Sequence, residues 1–163
     1  MVSEIALFLT VLGLLGVMAG LRQSYRERLR QFESMYVQRY WKILDQLSLE
    51  AVKASPAADA DREDEKAIRN YILLSEDELQ MRRNGYISDS TYAVWADGMR
   101  DQLKQPMFKK VWAQVEEETK EHRTFPYENL RKLLSEPTSK AGDPLTMSPL
   151  RRKIRGLAGL SGI

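Results

Sequence analysis

A chain of 163 residues with 25 Lys and Arg, 23 Asp and Glu and a formal charge of +2 has room for one small domain and a few appendages. It contains no cysteine, which excludes a disulfide framework and thiolate chemistry. Its charge is unevenly spread: residues 22–30 carry four basic and one acidic side chain (+3), residues 138–163 five and one (+4), and residues 31–137 sixteen and twenty (−4).

The first element is Ile5 to Leu21, IALFLTVLGLLGVMAGL, seventeen residues without a charge. At an α-helical rise of about 1.5 Å per residue they span roughly 25 Å, and Met1, Val2 and Ser3 extend the segment to a full bilayer crossing. The pattern predicts a transmembrane anchor over residues 1–21. A cleaved signal is the alternative, since Val17-Met18-Ala19 has the spacing of a cleavage site. Against it, MVSE offers no basic residue ahead of the apolar run. Arg22, Arg26, Arg28 and Arg30 all follow the run, so the positive-inside rule puts the N-terminus outside and the remainder in the cytoplasm. A single-pass protein of the cell (inner) membrane is expected.

Within the anchor, Ala6, Thr10, Gly13, Gly16 and Gly20 form one small-residue stripe, and Gly16 to Gly20 reads G-x-x-x-G. Small residues let helix backbones approach closely in lipid, so Gly13, Gly16 and Gly20 are candidate packing positions. The plainer account is that glycine is common in membrane helices.

Tyr25, Leu29, Phe32, Tyr36, Tyr40, Ile43 and Leu47 then recur every three or four residues. No Pro or Gly interrupts from Leu21 to Lys53, and the period predicts that the anchor helix continues through a membrane-proximal extension, residues 22–53. Its aromatic stripe is expected to pack against a bundle formed by residues 54–136. Ser55-Pro56 opens a loop, and the acidic run Asp61 to Glu65 suits the start of a helix over Arg62 to Arg83. Arg82, Arg83 and Asn84-Gly85 close that helix. Ser88 or Asp89 caps the next, which carries Tyr92, Trp95, Met99 and Leu103. Pro106 starts a helix with Phe108, Val111, Trp112 and Val115, and Phe125-Pro126 a short one with Tyr127, Leu130, Leu133 and Leu134. Residues 137–163, rich in Pro, Gly, Ser and Lys, read as a flexible basic tail. The expected fold is all-α, with four or five helices in the bundle.

The stretch Arg69 to Met99, RNYILLSEDELQMRRNGYISDSTYAVWADGM, resembles a widespread family of small bacterial single-pass membrane proteins of unknown function with a cytoplasmic helical domain. The shared residues are Leu79, Arg83, Gly85, Ile87, Tyr92 and Trp95, and the similar layout runs from Leu7 to Val115. The resemblance implies a membrane-anchored helical domain and supplies no catalytic residues. The acidic helix start at Asp61 and the basic tail depart from that family's pattern.

Little else suggests chemistry. His122, the one histidine, has Glu118 and Glu121 for neighbours, short of the three or four convergent ligands zinc requires. Pairs such as Asp97/Asp101 and Glu76/Glu78 are ordinary on a charged helix face. No phosphate-binding, dinucleotide-binding or nucleophile-elbow motif occurs. A non-enzymatic protein without metal or cofactor is expected. Its acidic body disfavours nucleic acid. Arg151, Arg152, Lys153 and Arg155, interleaved with Leu150 and Ile154, suit an anionic lipid surface, or serve as a solubilising tail. The expected role is an interaction module or accessory subunit, a homo-oligomer or part of a larger membrane complex. The competing reading is a tethered sensor or effector with a ligand pocket near Tyr40, Trp41, Trp95 and Trp112.

Overall fold

The computed structural model describes residues 2–52, 61–120 and 126–135. These fold into six helices, with no strand among them: α1 (Val2–Leu44), α2 (Leu49–Val52), α3 (Arg62–Asn84), α4 (Asp89–Lys104), α5 (Pro106–Thr119) and α6 (Glu128–Ser135). α1 is long and apolar enough in its first half to cross a membrane. The large apolar side chains there, from Phe8 to Leu21, are all exposed to the surroundings.

The aromatic stripe of α1 is the face that the domain covers. Leu29 and Tyr36 are buried, and Tyr40 and Ile43 pack on the core. The helix does not run on to Lys53 as its period suggests. It ends at Leu44, a turn follows, and α2 contributes one further turn. The cause is Asp64, at the start of α3. Its carboxylate accepts from the Ser48 amide and the Ser48 hydroxyl, both at 2.7 Å, and Ser48 Oγ in turn accepts from the Ala51 amide at 3.2 Å. Ser48 therefore serves as the cap of a new helix, held by a carboxylate from elsewhere in the chain.

α3 is the centre of the domain, in contact with α1, α5 and α6. The Asp61 carboxylate caps its first turn, accepting from the Glu63 and Asp64 amides at 2.9 and 2.8 Å. Gly85 closes it at φ 87°, with its amide donating to Arg82 O and the Tyr86 amide to Met81 O. This paired arrangement requires a left-handed residue after the helix, a conformation that glycine adopts without steric cost. α3 buries Ile68, Tyr71, Ile72 and Leu79 along its main stripe. It also buries Leu74, which falls off the main stripe, because α3 has neighbours on several sides.

Ser88 caps α4, accepting from the Thr91 amide at 3.2 Å. α4 buries Tyr92, Ala96, Met99 and Leu103, leaving Trp95 partly covered. Pro106 opens α5, whose Met107, Phe108, Val111, Trp112 and Val115 form the heart of the core. α6 begins at Glu128, later than Phe125-Pro126 suggests. Tyr127 precedes it at φ 68°, outside helical geometry, with its ring edge-on to Trp112 at 5.9 Å.

Between α3 and α4 the chain is locked by Arg82, a buried arginine. Its guanidinium donates to Ile87 O at 2.9 Å, pairs with Asp89 at 2.5 Å and lies 4.9 Å from the Tyr92 ring centre. Arg82 thus spans the hairpin turn as well as ending α3.

Candidate functional site

Two features of α1 define the region of interest: the face joined to the domain and the face opposite. At about 100° per residue, Gly13, Gly16 and Gly20 project on average about 160° away from the aromatic stripe. A methyl group added at any of the three meets nothing within 4 Å. The same direction continues past the apolar run through Ser24, Gln31, Ser34 and Gln38, all exposed. One flank of α1 is thus small or uncharged from Gly13 to Gln38 except for Glu27, which accepts from Gln23 at 3.0 Å. Of the basic flank, Arg22, Arg28 and Arg30 are exposed and Arg26 is half-buried.

The joined face is a seam of tyrosines and ions. From the apolar run outward, the Tyr25 hydroxyl donates to Gly85 O at 2.9 Å, and Phe32 stacks obliquely on Tyr86 at 5.6 Å. The Glu33 carboxylate accepts from the Ser88 amide at 2.8 Å. The Tyr36 hydroxyl donates to Asp77 at 2.8 Å, and Arg39 donates to the same oxygen at 3.2 Å while lying over the Tyr36 ring. Tyr40 then meets Tyr71.

Glu78 sits within electrostatic reach of the Tyr36, Tyr40 and Tyr71 hydroxyls and is only 8% exposed. Burial pushes its carboxyl up to about 8; Arg39 opposes the shift and Asp77 adds to it. Burial likewise raises Tyr36, Tyr40 and Tyr71, so all three stay neutral and act as hydrogen-bonding aromatics. Beside the seam lies an open hollow of about 490 Å³, lined by Arg39, Lys42, Ile43, Asn70, Leu73, Leu74 and Asp77.

Of the aromatics expected to share a pocket, only Tyr40 and Trp41 are in ring contact with each other. Tyr40 meets Trp41 and Tyr71, Trp95 meets Tyr36, and Trp112 meets Tyr127. Trp41 is 57% exposed.

Two of the carboxylates that could be drawn as an acid–base pair have ion-pair partners. Asp97 pairs with Arg100 and Asp101 with Lys104. Both oxygens of Glu118 are taken by the Arg69 fork at 2.7 Å, which holds its carboxyl below the usual range and joins α5 to α3. Among the described residues, no three His, Cys, Asp or Glu side chains converge as metal ligands. His122, Glu121 and the tail residues Arg151, Arg152, Lys153 and Arg155 lie outside the described residues.

No family model, curated protein or solved structure matches the chain.

Proposed function

We propose that this chain is a non-enzymatic single-pass membrane protein that works by lateral association. α1 anchors it in the cell membrane with the N-terminus outside, and the helical domain lies on the cytoplasmic side. It belongs by layout with the small bacterial membrane proteins it resembles from Leu7 to Val115. The observation that carries this reading is the division of labour around α1: the domain occupies its aromatic face, and Gly13, Gly16 and Gly20 lie unobstructed about 160° away.

Two copies joined through the glycine face would hold their domains on the outside, clear of each other. A larger membrane protein presenting a smooth helix fits the same face. Close backbone approach at glycine supplies the packing that apolar side chains, already solvated by lipid, do not.

The test is native mass measurement after affinity purification in mild detergent, for the unaltered protein and for Gly16→Ile and Gly20→Ile. A dimer or stoichiometric partner that is lost in both variants is expected. A lone protomer in every case, or an assembly indifferent to both substitutions, removes this reading.

A further inference from the structure

We infer that the α3–α4 turn is the end of the domain that touches the bilayer, with Asn84, Gly85 and Tyr86 seated in an anionic headgroup layer beside Arg22 and Arg83. The inference rests on the anchor reading above.

Distance is the first support. Tyr25 lies four residues past Leu21, the last residue of the apolar run, or roughly 6 Å along the helix axis. Its hydroxyl donates to the Gly85 carbonyl at 2.9 Å, which pins the turn near that level. A bilayer with a core of about 30 Å measures about 40–45 Å across its headgroups, leaving a polar layer of about 5–8 Å on each side. Gly85 falls within it.

Direction is the second. Residues progressively farther from the apolar run meet progressively earlier residues of the α3 arm: Tyr25 with Gly85 just past α3, Tyr36 with Asp77, Tyr40 with Tyr71, and, beyond the end of α1, Ser48 with Asp64. α4 runs the other way, with Ser88 at Glu33 and Trp95 at Tyr36. The turn is therefore the point of the hairpin nearest the membrane.

Chemistry is the third. Tyr86 is 50% exposed, an amphipathic ring suited to the headgroup boundary. Arg83 is exposed while its guanidinium donates to Asn129 Oδ1 of α6 at 2.9 Å, and Arg22 stands seven residues before the buried Leu29, on the helix side that faces the domain. Among the neighbouring acids, Glu33 accepts from the Ser88 amide and Asp89 pairs with Arg82, while Glu128 lies exposed against Lys132 and within electrostatic reach of Arg83.

The absence of native cysteine makes the test direct. The full chain carrying Asn84→Cys, Tyr86→Cys, Val94→Cys or Leu12→Cys is labelled with a small fluorophore. Each variant is placed in nanodiscs of phosphatidylcholine with or without phosphatidylglycerol. Lipids bearing a nitroxide on the headgroup, or deep in the acyl chain, act as quenchers. Labels at 84 and 86 should lose emission to the headgroup nitroxide, more so with phosphatidylglycerol, while the label at 94 keeps it. Equal responses at 84, 86 and 94, with the label at 12 quenched from the acyl chain, overturn the inference alone. An unquenched label at 12 overturns the anchor itself.

Discussion

Glu76, in the middle of α3, caps a helix that begins fifty-two residues later. Its carboxylate accepts from the Asn129 amide at 3.2 Å, the Asn129 side chain at 2.7 Å and the Leu130 amide at 2.8 Å. The two backbone amides belong to α6's first turn and have no acceptor within the helix, and a negative charge there is also favoured by the helix dipole. The eight residues of α6 are too few to be stable by themselves, so this contact and the burial of Leu130 and Leu133 hold them in place.

Removing that cap should release α6 before the rest of the domain. Glu76→Ala is expected to cost about 1–2 kcal/mol, in the upper range for cap deletions. Amide exchange read by mass spectrometry should quicken over residues 128–135 and stay unchanged in α4. Equal protection of α6 in both proteins would contradict the role given to Glu76.

Arg82 predicts a larger effect. Arg82→Met leaves Asp89 without its 2.5 Å partner and the buried Ile87 carbonyl without its donor. A loss of about 2–3 kcal/mol in urea unfolding is expected. Arg82→Lys should recover little, because a lysine lacks the fork that reaches both groups.

Glu78 predicts a pH dependence of definite sign. Its folded-state carboxyl is raised from 4.5 to about 8, so the native protein retains a proton that the unfolded chain gives up. Stability should therefore fall as pH rises from about 4.5 to about 8, and level off beyond; the full effect is of the order of a few kcal/mol. Glu78→Gln keeps the shape without the charge. Urea midpoints across this range should flatten in the variant and exceed those of the parent protein above pH 7. Parallel midpoint curves would show that the carboxyl is not desolvated.

Orientation is checked with the same cysteine-free background. A membrane-impermeant maleimide applied to intact cells should label a cysteine appended ahead of Met1 and leave Val94→Cys untouched until the membrane is opened. The reverse pattern would invert the topology proposed from Arg22, Arg26, Arg28 and Arg30.

Much of the local architecture is legible in the sequence because it depends on neighbours in the chain. Asp61, Ser88, Pro106 and Gly85 each mark a helix end by their own backbone or side-chain chemistry, and the structure places the ends there. The α1 stripe likewise names its own buried face. The misses involve partners far away. Near Leu44 the local sign that the helix stops is Ser48, a serine that caps α2, and the carboxylate that holds Ser48 in place belongs to distant Asp64. Glu76 and Glu78 look like surface acids until α6 and α1 are set against them. Leu74 breaks the simple stripe because α3, at the centre of the domain, is covered on more than one side. Tyr127 shifts the start of α6 because its ring packs on Trp112.

Because α1 runs unbroken from Val2 to Leu44, it is a shaft with no joint between its two ends. A single alanine inserted after Leu21 would turn the domain about 100° relative to the glycines and lift it about 1.5 Å, whereas seven would nearly restore the angle. Whatever twists or tilts the apolar end is delivered, in phase, to the tyrosine seam at the other.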